Sequence, residues 1–351
     1  MIREGIQKLI EGTDLTFEES GTIMTEVMSG KATNSQTAAF LTALRMKGES
    51  VDEIIAFASV MKSHCQSIHP KVQGRLVDIV GTGGDKIKTF NVSTTAAFII
   101  AGAGVPVAKH GNRAVTSKSG SADVLEKLGL NLNLEPQAIE TIIEQVGVGF
   151  MFAPAFHPAM KYAAEPRREI GIRTVFNILG PLTNPASVTG HVLGVCDAKL
   201  VEPMAYALQK LGCQEAIVAH GLDGLDEIST VGKTLIAHLK NSQVTLKEVT
   251  PEQFGLKRVN PLDLQCSSAE ESAQTLYRIL NGKLNDTAKT EIVLFNAAAG
   301  ILVGGKASDL KQAIIIAKEA IASGAAYSKL MRMVKASGGD LSKLEELESH
   351  E

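Results

Sequence analysis

The stretch L-V-D-I-V-G-T-G-G-D at 76–85 decides the fold, read together with N-V-S-T-T-A-A-F-I-I at 91–100 and V-P-V-A-K-H-G-N-R-A-V-T-S-K-S-G-S-A-D-V-L-E-K-L at 105–128. Leu76 to Val80 is short and branched, and glycine follows at once. It reads as a buried strand that ends in a ligand loop. Ala96 to Ala101 reads as a helix, Val105 to Ala108 as a second strand ending at Lys109, and Ser121 to Leu128 as a helix stopped by Gly129. Strands alternating with helices predict a mostly parallel sheet covered on both faces. Ligands of such sheets bind beyond the carboxyl ends of the strands. Gly81, Gly83 and Gly84 let the backbone bend and approach a ligand. Backbone N–H groups there, and at the start of the helix after Ser93, can cradle phosphate oxygens. Lys109 and Arg113 add positive charge, and Asn112, Thr116, Ser117, Ser119 and Ser121 add neutral donors. The reading is a pocket for a polyanionic phosphate ester.

Upstream, residues 1 to about 66 read as all-helical. Ile2, Ile6, Leu9 and Ile10 fall at helical spacing, and Thr16 with Glu19 and Ser50 with Glu53 form capping-box patterns. Gly30 and Gly48 stand where helix C-caps are expected. Short connections predict a small bundle of antiparallel neighbours. Downstream, Pro136 opens a helix to Val146, and Val148 to Phe152 is a third strand. Pro158 to Gly171 returns to a basic helical pattern with Lys161, Arg167 and Arg168, followed by Arg173. That return predicts a discontinuous small domain, 1–68 joined by about 158–190. The α/β domain then comprises 69–157 and 191–351. Within it, Val192 to Val195 and Glu215 to Ala219 read as strands, with an antiparallel pair at 235–239 and 244–249. Helices are expected at 269–280, 290–302 and 309–334, and the tail L-E-E-L-E-S-H-E reads as solvated.

Composition narrows the function. The chain has 351 residues, 44% hydrophobic and 21% charged, which fits two globular domains or one large α/β domain. A net charge of −3 opposes nucleic-acid or membrane-surface binding, so anion affinity must come from a local site. No apolar run approaches the ~20 residues of a membrane span, and the N-terminus lacks a signal peptide's apolar core. Cys65, Cys196, Cys213 and Cys266 are scattered, with no zinc or disulfide pattern. A cytoplasmic location is expected.

G-T-G-G-D alone is a weak signal, since a tight strand-to-helix turn looks the same. It matches neither a Walker A loop nor a dinucleotide fingerprint. The loop from Lys109 to Asp123 is more specific, because few structural needs call for so many donors at one strand end. His110 reads either as a general base or as a loop histidine held by the backbone. Asp226-Glu227 usually would face solvent, but beside a phosphate ligand they could hold Mg²⁺, with Ser93 as a hydroxyl donor. One of Arg167, Arg168 and Arg173 could form the planar fork that binds a carboxylate. No Ser/His/Asp or Cys/His relay is visible, so covalent catalysis is not expected.

G-T-G-G-D at 81–85, N-V-S-T at 91–94, K-H-G-N-R-A-V-T-S-K-S-G-S-A-D-V-L-E at 109–126, H-P-A-M-K at 157–161, R-T-V-F-N-I-L-G-P-L-T-N-P-A at 173–186 and H-G-L-D-G-L-D-E-I-S at 220–229 together resemble the anthranilate phosphoribosyltransferase family. The resemblance runs in order over most of the chain. Thr116 stands where serine is commoner in the family, and both carry a hydroxyl. The resemblance implies a small helical domain plus a large α/β domain, similar in fold to pyrimidine nucleoside phosphorylases. It implies a homodimer through the helical domains. The implied substrates are anthranilate and 5-phosphoribosyl 1-diphosphate (PRPP), with Mg²⁺ as cofactor, in a step of tryptophan biosynthesis. Gly81, Gly84, Asp85 and Thr89 would lie against PRPP, and Asn91, Val92, Ser93 and Thr94 would line its phosphate pocket. Lys109, His110, Gly111, Asn112, Arg113, Ala114, Val115, Thr116 and Ser117 would complete that pocket with Ser121. Ser93, Asp226 and Glu227 would hold the metal, and Gly81, Asn112 and Arg167 would contact anthranilate. Lys109 and Mg²⁺ would stabilise the transition state, with no general base assigned.

Two alternatives stand beside this reading. A pyrimidine nucleoside phosphorylase-like enzyme would need a differently arranged phosphate loop, which G-T-G-G-D with K-H-G-N-R opposes. A non-catalytic nucleic-acid-binding relative would need a basic surface and damaged metal acids, which the net charge of −3 and the intact Asp226-Glu227 oppose.

Overall fold

The computed structural model describes residues 1–85, 87–114, 119–283 and 287–349. Val115, Thr116 and Ser117 of the anticipated phosphate loop lie outside the described residues.

Helices α1 (Ile2–Ile10), α2 (Phe17–Met28), α3 (Asn34–Lys47) and α4 (Val51–Ser63) open the chain. Reciprocal capping boxes form at Thr16/Glu19 and Ser50/Glu53, and a further one at Thr33/Gln36. Each satisfies helix N–H donors that would otherwise lack partners. The principal helix pairs are α1 with α3 and α2 with α4, rather than consecutive helices. Inside the bundle, the fully buried Glu53 accepts from the Leu15 N–H (2.9 Å), the Ser50 N–H (2.7 Å) and Lys47 Nζ (2.9 Å).

The sheet follows, interleaved with helices: β1 (Val77–Gly81), α5 (Val92–Gly102), β2 (Val107–Gly111), α6 (Ser121–Lys127), α7 (Pro136–Val146) and β3 (Val148–Phe152). The short helices α8 (Ala153–Phe156) and α10 (Phe176–Leu179) flank α9 (Lys161–Ile170), and β4 (Gly190–Gly194), α11 (Val201–Lys210) and β5 (Glu215–Gly221) follow. The strand order is β3-β2-β1-β4-β5-β6-β7, where β6 (Thr234–Lys240) and β7 (Gln243–Val249) add an antiparallel hairpin to five parallel strands. Asn241 and Ser242 turn that hairpin at φ 51° and 59°, the positive values a two-residue turn of this hand requires. Helices α12 (Ala269–Leu280), α13 (Thr287–Val303), α14 (Leu310–Ala322), α15 (Ala325–Ala336) and α16 (Ser342–Ser349) close the chain.

Strand side chains alternate between two cores, as the period of two demands. Val77, Ile79, Val192, Ile217 and Ala219 face the core built with α5, α12, α13 and α15. Leu193, Ala216 and Val218 face the other, shared with α11 and the N-terminal helices. Helix α9 packs on α2 and α3, so the mid-chain basic segment returns to the bundle. Asn184, at the end of that segment, donates to Asp78 Oδ2 (2.7 Å) and to the Ala108 carbonyl (2.8 Å), tying it to β1 and β2.

Three expectations change. Strand β2 runs on to Gly111, so Lys109 lies within it rather than at its end. Helix α5 begins at Val92, not Ala96. Through Ser349 the charged tail belongs to the helix α16, with Leu344 buried and Leu347 against the main core, so this part is docked rather than solvated. Among the described residues no helix is long and apolar enough to cross a membrane.

Candidate active site

The sheet order reverses between β1 and β4, because the chain builds outward through β2 and β3 and then returns to the other side of β1. Ligand crevices of α/β sheets form at such a switch point. Here a cavity of about 540 Å³ opens at the carboxyl ends of β1 and β2. Gly81 and Gly194 face each other in register at its base.

The first wall is the G-T-G-G-D turn. Gly83 and Gly84 have φ of 66° and 88°, where only glycine is unstrained. The Thr82 N–H donates to the Gly194 carbonyl (2.9 Å), and the Gly83 N–H donates to Asp226 Oδ2 (2.7 Å). A Cβ on Gly81 would strike the Asp226 carboxylate, and one on Gly194 would strike the Asp226 carbonyl. The two strand ends are glycine because the Asp226 loop crosses directly over them.

The second wall is the N-terminus of α5, whose first-turn N–H groups and dipole favour an anion. Asn91 caps it and is itself held: its Oδ1 accepts from Ser119 Oγ (2.9 Å) and Ser272 Oγ (2.8 Å). Thr89, Val92 and Ser93 also line the cavity. Thr94 does not; its hydroxyl is buried without a partner, so its contribution there is limited to the backbone of the helix's first turn.

The third wall is the end of β2. Lys109 is only 3% exposed, and its Nζ donates to the Ile79 carbonyl (2.6 Å) and Ser93 Oγ (3.3 Å). Burial lowers its pKa, opposed by the charges of Asp78 and Glu227. His110 is buried against His157, ring centroids 5.0 Å apart, and burial pushes its pKa down to about 3. His110 is therefore neutral, and that pKa makes it a weak proton acceptor. Gly111, Asn112, Arg113, Ala114 and Ser121 complete the wall. Arg113 is exposed at the rim, paired with Asp123 (3.1 Å) and Glu126 (2.8 Å) and placed over the Phe152 ring. Asp123 also accepts from the Ala114 and Gly120 N–H groups, both at 2.9 Å, which closes the loop onto α6.

Acids meet at the centre. Asp226 is buried and Glu227 half-buried; desolvation raises both pKa values, and for Glu227, raised well above the ordinary carboxylate value, the Asp226 charge adds to the effect. Asp85 is pushed up to about 6, first by burial and then by the Asp226 charge. Buried hard-oxygen donors that repel one another, with the Ser93 hydroxyl nearby, suit a divalent cation bridging to phosphate. Among the described residues no three His, Cys, Asp or Glu side chains converge as a metal cage, so phosphate oxygens and water would have to complete the coordination.

The helical side supplies arginines. Arg173 lines the cavity, although the carboxylate role expected from the sequence falls to Arg167. Its Nη2 donates to the Thr82 carbonyl (3.2 Å), and its guanidinium lies against Gly84. Arg167 is half-buried, stacks 5.1 Å from the Phe176 ring centroid, and stands outside the cavity lining. Burial lowers its pKa, and it takes part in no ion pair among the described residues. Arg168 is exposed. Asn177, Pro181 and Cys266 also line the cavity; they belong to segments that converge only in three dimensions, so nothing local announced them.

Known proteins carry the same architecture. Residues 73–327 match the glycosyl transferase family α/β domain, and residues 3–65 match the helical bundle domain of the same family. The anthranilate phosphoribosyltransferase of Alkaliphilus metalliredigens is 50% identical over 337 residues, 96% of this chain and 98% of that one. The crystal structure of the Thermus thermophilus anthranilate phosphoribosyltransferase superposes with a TM-score of 0.89 at 40% identity, covering 95% of this chain and 99% of that one. The Saccharomyces cerevisiae enzyme in complex with PRPP and Mg superposes at 0.88 with 29% identity, covering 96% and 98%. Near full-length identity at this level, on the same two-part architecture, places the chain in the anthranilate phosphoribosyltransferase family.

Proposed function

We propose that the cavity binds PRPP on the α/β side and anthranilate on the helical side, and that the chain transfers the phosphoribosyl group to the anthranilate amine. The products are N-(5-phosphoribosyl)anthranilate and diphosphate, in tryptophan biosynthesis. The carrying observation is the convergence of the glycine turn, the α5 N-terminus and the buried acids on one cavity at the switch point. Gly81, Gly84, Asp85, Thr89, Asn91, Val92, Ser93, Lys109, His110, Gly111, Asn112, Arg113, Ala114 and Ser121 are the donor-side lining, with Thr94 behind them. Val115, Thr116 and Ser117 are assigned to the same subsite from the motif alone.

Asp226, Glu227 and Ser93 would hold Mg²⁺, which when bound neutralises charge on the departing diphosphate. Preorganised donors at the glycine turn and the α5 N-terminus favour that charge most as it develops. The buried Lys109, fixed by Ile79 and Ser93, brings its ammonium to the same wall. An aromatic amine is already a neutral nucleophile, which agrees with a neutral His110 and the absence of a relay among the described residues. Arg167, half-buried and without an anion, suits the anthranilate carboxylate. Because Arg167 stands outside the lining, closure of the helical segment onto the α/β part would assemble the site and exclude water.

The same reading divides the chain into 1–68 with about 158–190, and 69–157 with 191–351. It includes a cytoplasmic homodimer joined through the helical domains. Ile10, Phe17 and Met46 on α1 to α3 are exposed apolar side chains that support such an interface. The decisive assay follows anthranilate fluorescence with purified protein, PRPP and Mg²⁺. PRPP-dependent loss of the signal is expected, and a signal that stays constant would overturn the assignment. Light scattering across a concentration series tests the dimer.

A further inference from the structure

Asn296 lies in the middle of α13 and is 1% exposed, inside the larger hydrophobic core. A buried amide there is costly unless every polar atom is satisfied. Here every one is. Its Oδ1 accepts from the Ile228 N–H (2.9 Å), and its Nδ2 donates to the Ile228 carbonyl (3.0 Å) and to the Ile292 carbonyl (2.9 Å). One side chain thus grips both backbone groups of Ile228, the residue after Glu227. The surroundings, Leu225, Ile228, Val293 and Phe295, are apolar and fully buried.

The position of that grip matters. Asp226 is held from the opposite side, where its Oδ2 accepts from the Gly83 N–H and its carbonyl rests on Gly194. The segment carrying both acids is therefore clamped between the end of β4 and α13. Asp226 and Glu227 are adjacent in the chain, so the direction each carboxylate takes follows the backbone of the segment that carries them. The Asn296 amide, borne on a helix, anchors that backbone at both polar groups of Ile228.

We propose that Asn296 is a positioning residue for the metal-binding acids: by fixing Ile228 it sets the spacing of Asp226 and Glu227 and so the affinity for the divalent cation. The inference rests on those acids being the metal site. Loss of an outer partner that orients a metal ligand typically weakens metal binding by about 10–100-fold.

The test uses Mn²⁺ as a spin probe, titrated with saturating PRPP against the full-length wild type, Asn296→Ala, Asn296→Ser and Asp226→Asn. Thermal melts without metal serve as the control for folding. Asn296→Ala should bind Mn²⁺ about tenfold more weakly while keeping a cooperative melt. Asn296→Ser, which retains one hydrogen-bonding group, should fall between it and wild type. Wild-type Mn²⁺ affinity in a folded Asn296→Ala, with affinity lost in Asp226→Asn, would overturn the positioning role and leave the metal site standing. Undiminished binding in Asp226→Asn would remove the metal site itself. Should neither Asn296 variant fold, the residue belongs to the core alone and the proposal fails.

Discussion

On the α/β side of the cavity, the groups aimed inward are tied down before any ligand arrives. Asn91 is held by Ser119 and Ser272, Lys109 by Ile79 and Ser93, and Asp226 by Gly83. On the helical side, Arg167 rests on the Phe176 ring and Arg173 makes one backbone hydrogen bond across to Thr82. A phosphate-rich donor needs many dipoles held in fixed directions, since stabilising developing charge depends on donors that do not reorganise. A carboxylate acceptor needs one planar cation. The contrast predicts that lesions on the two sides will separate kinetically.

The largest effect belongs to the proposed metal acids, Asp226 and Glu227. Asp226→Asn combined with Glu227→Gln removes both carboxylates and should reduce turnover by about 10²–10³-fold. The loss should come with a raised Mg²⁺ requirement, read from activity against metal concentration. A metal titration identical to wild type would break the contrast at its stronger end.

Arg167→Ala comes next. Losing a charge-assisted bidentate contact of about 1.5–3 kcal/mol corresponds to roughly 10–100-fold in the anthranilate KM. The PRPP KM should stay near wild type, because Arg167 touches none of the donor wall. Arg168→Ala should leave both constants alone, since that side chain is exposed. Equal damage to both KM values by Arg167→Ala would mean that the two sides are not separate subsites.

The same contrast describes what the sequence revealed. The donor side was legible because its chemistry is contiguous: glycine, hydroxyl and amide residues stand together at strand ends, and each glycine with positive φ marks a bend. The bundle was legible through the caps at Thr16 and Ser50. The misses come from long-range contacts. Lys109 read as a strand end because a charge rarely sits inside a buried strand, yet the Ile79 carbonyl and Ser93 make that burial possible. The glycine at 194 and the amide of Asn296 serve the Asp226 loop, from which both are distant along the chain. The tail read as solvated because its acids outnumber its leucines, while Leu344 and Leu347 dock on the core. Arg173 could not be told from its neighbours until folding laid it against Gly84.

The smallest effect is a pH dependence, and it probes whether the donor side is strained without its cation. Asp85 has its pKa raised to about 6 by burial and by the Asp226 charge. Between the ordinary carboxylate value and about 6, the folded protein therefore keeps a proton that the unfolded chain has released. Stability from this group is present at low pH and is lost as pH rises through about 6. Asp85→Asn abolishes the titration, so in EDTA the variant should gain melting temperature relative to wild type on going from pH 4 to pH 7. With Mg²⁺ and PRPP the order should reverse at pH 7, because a bound cation favours the ionised acids that the metal-free fold resists. Parallel melting curves for the two proteins across that range would show that the fold does not hold a proton on Asp85.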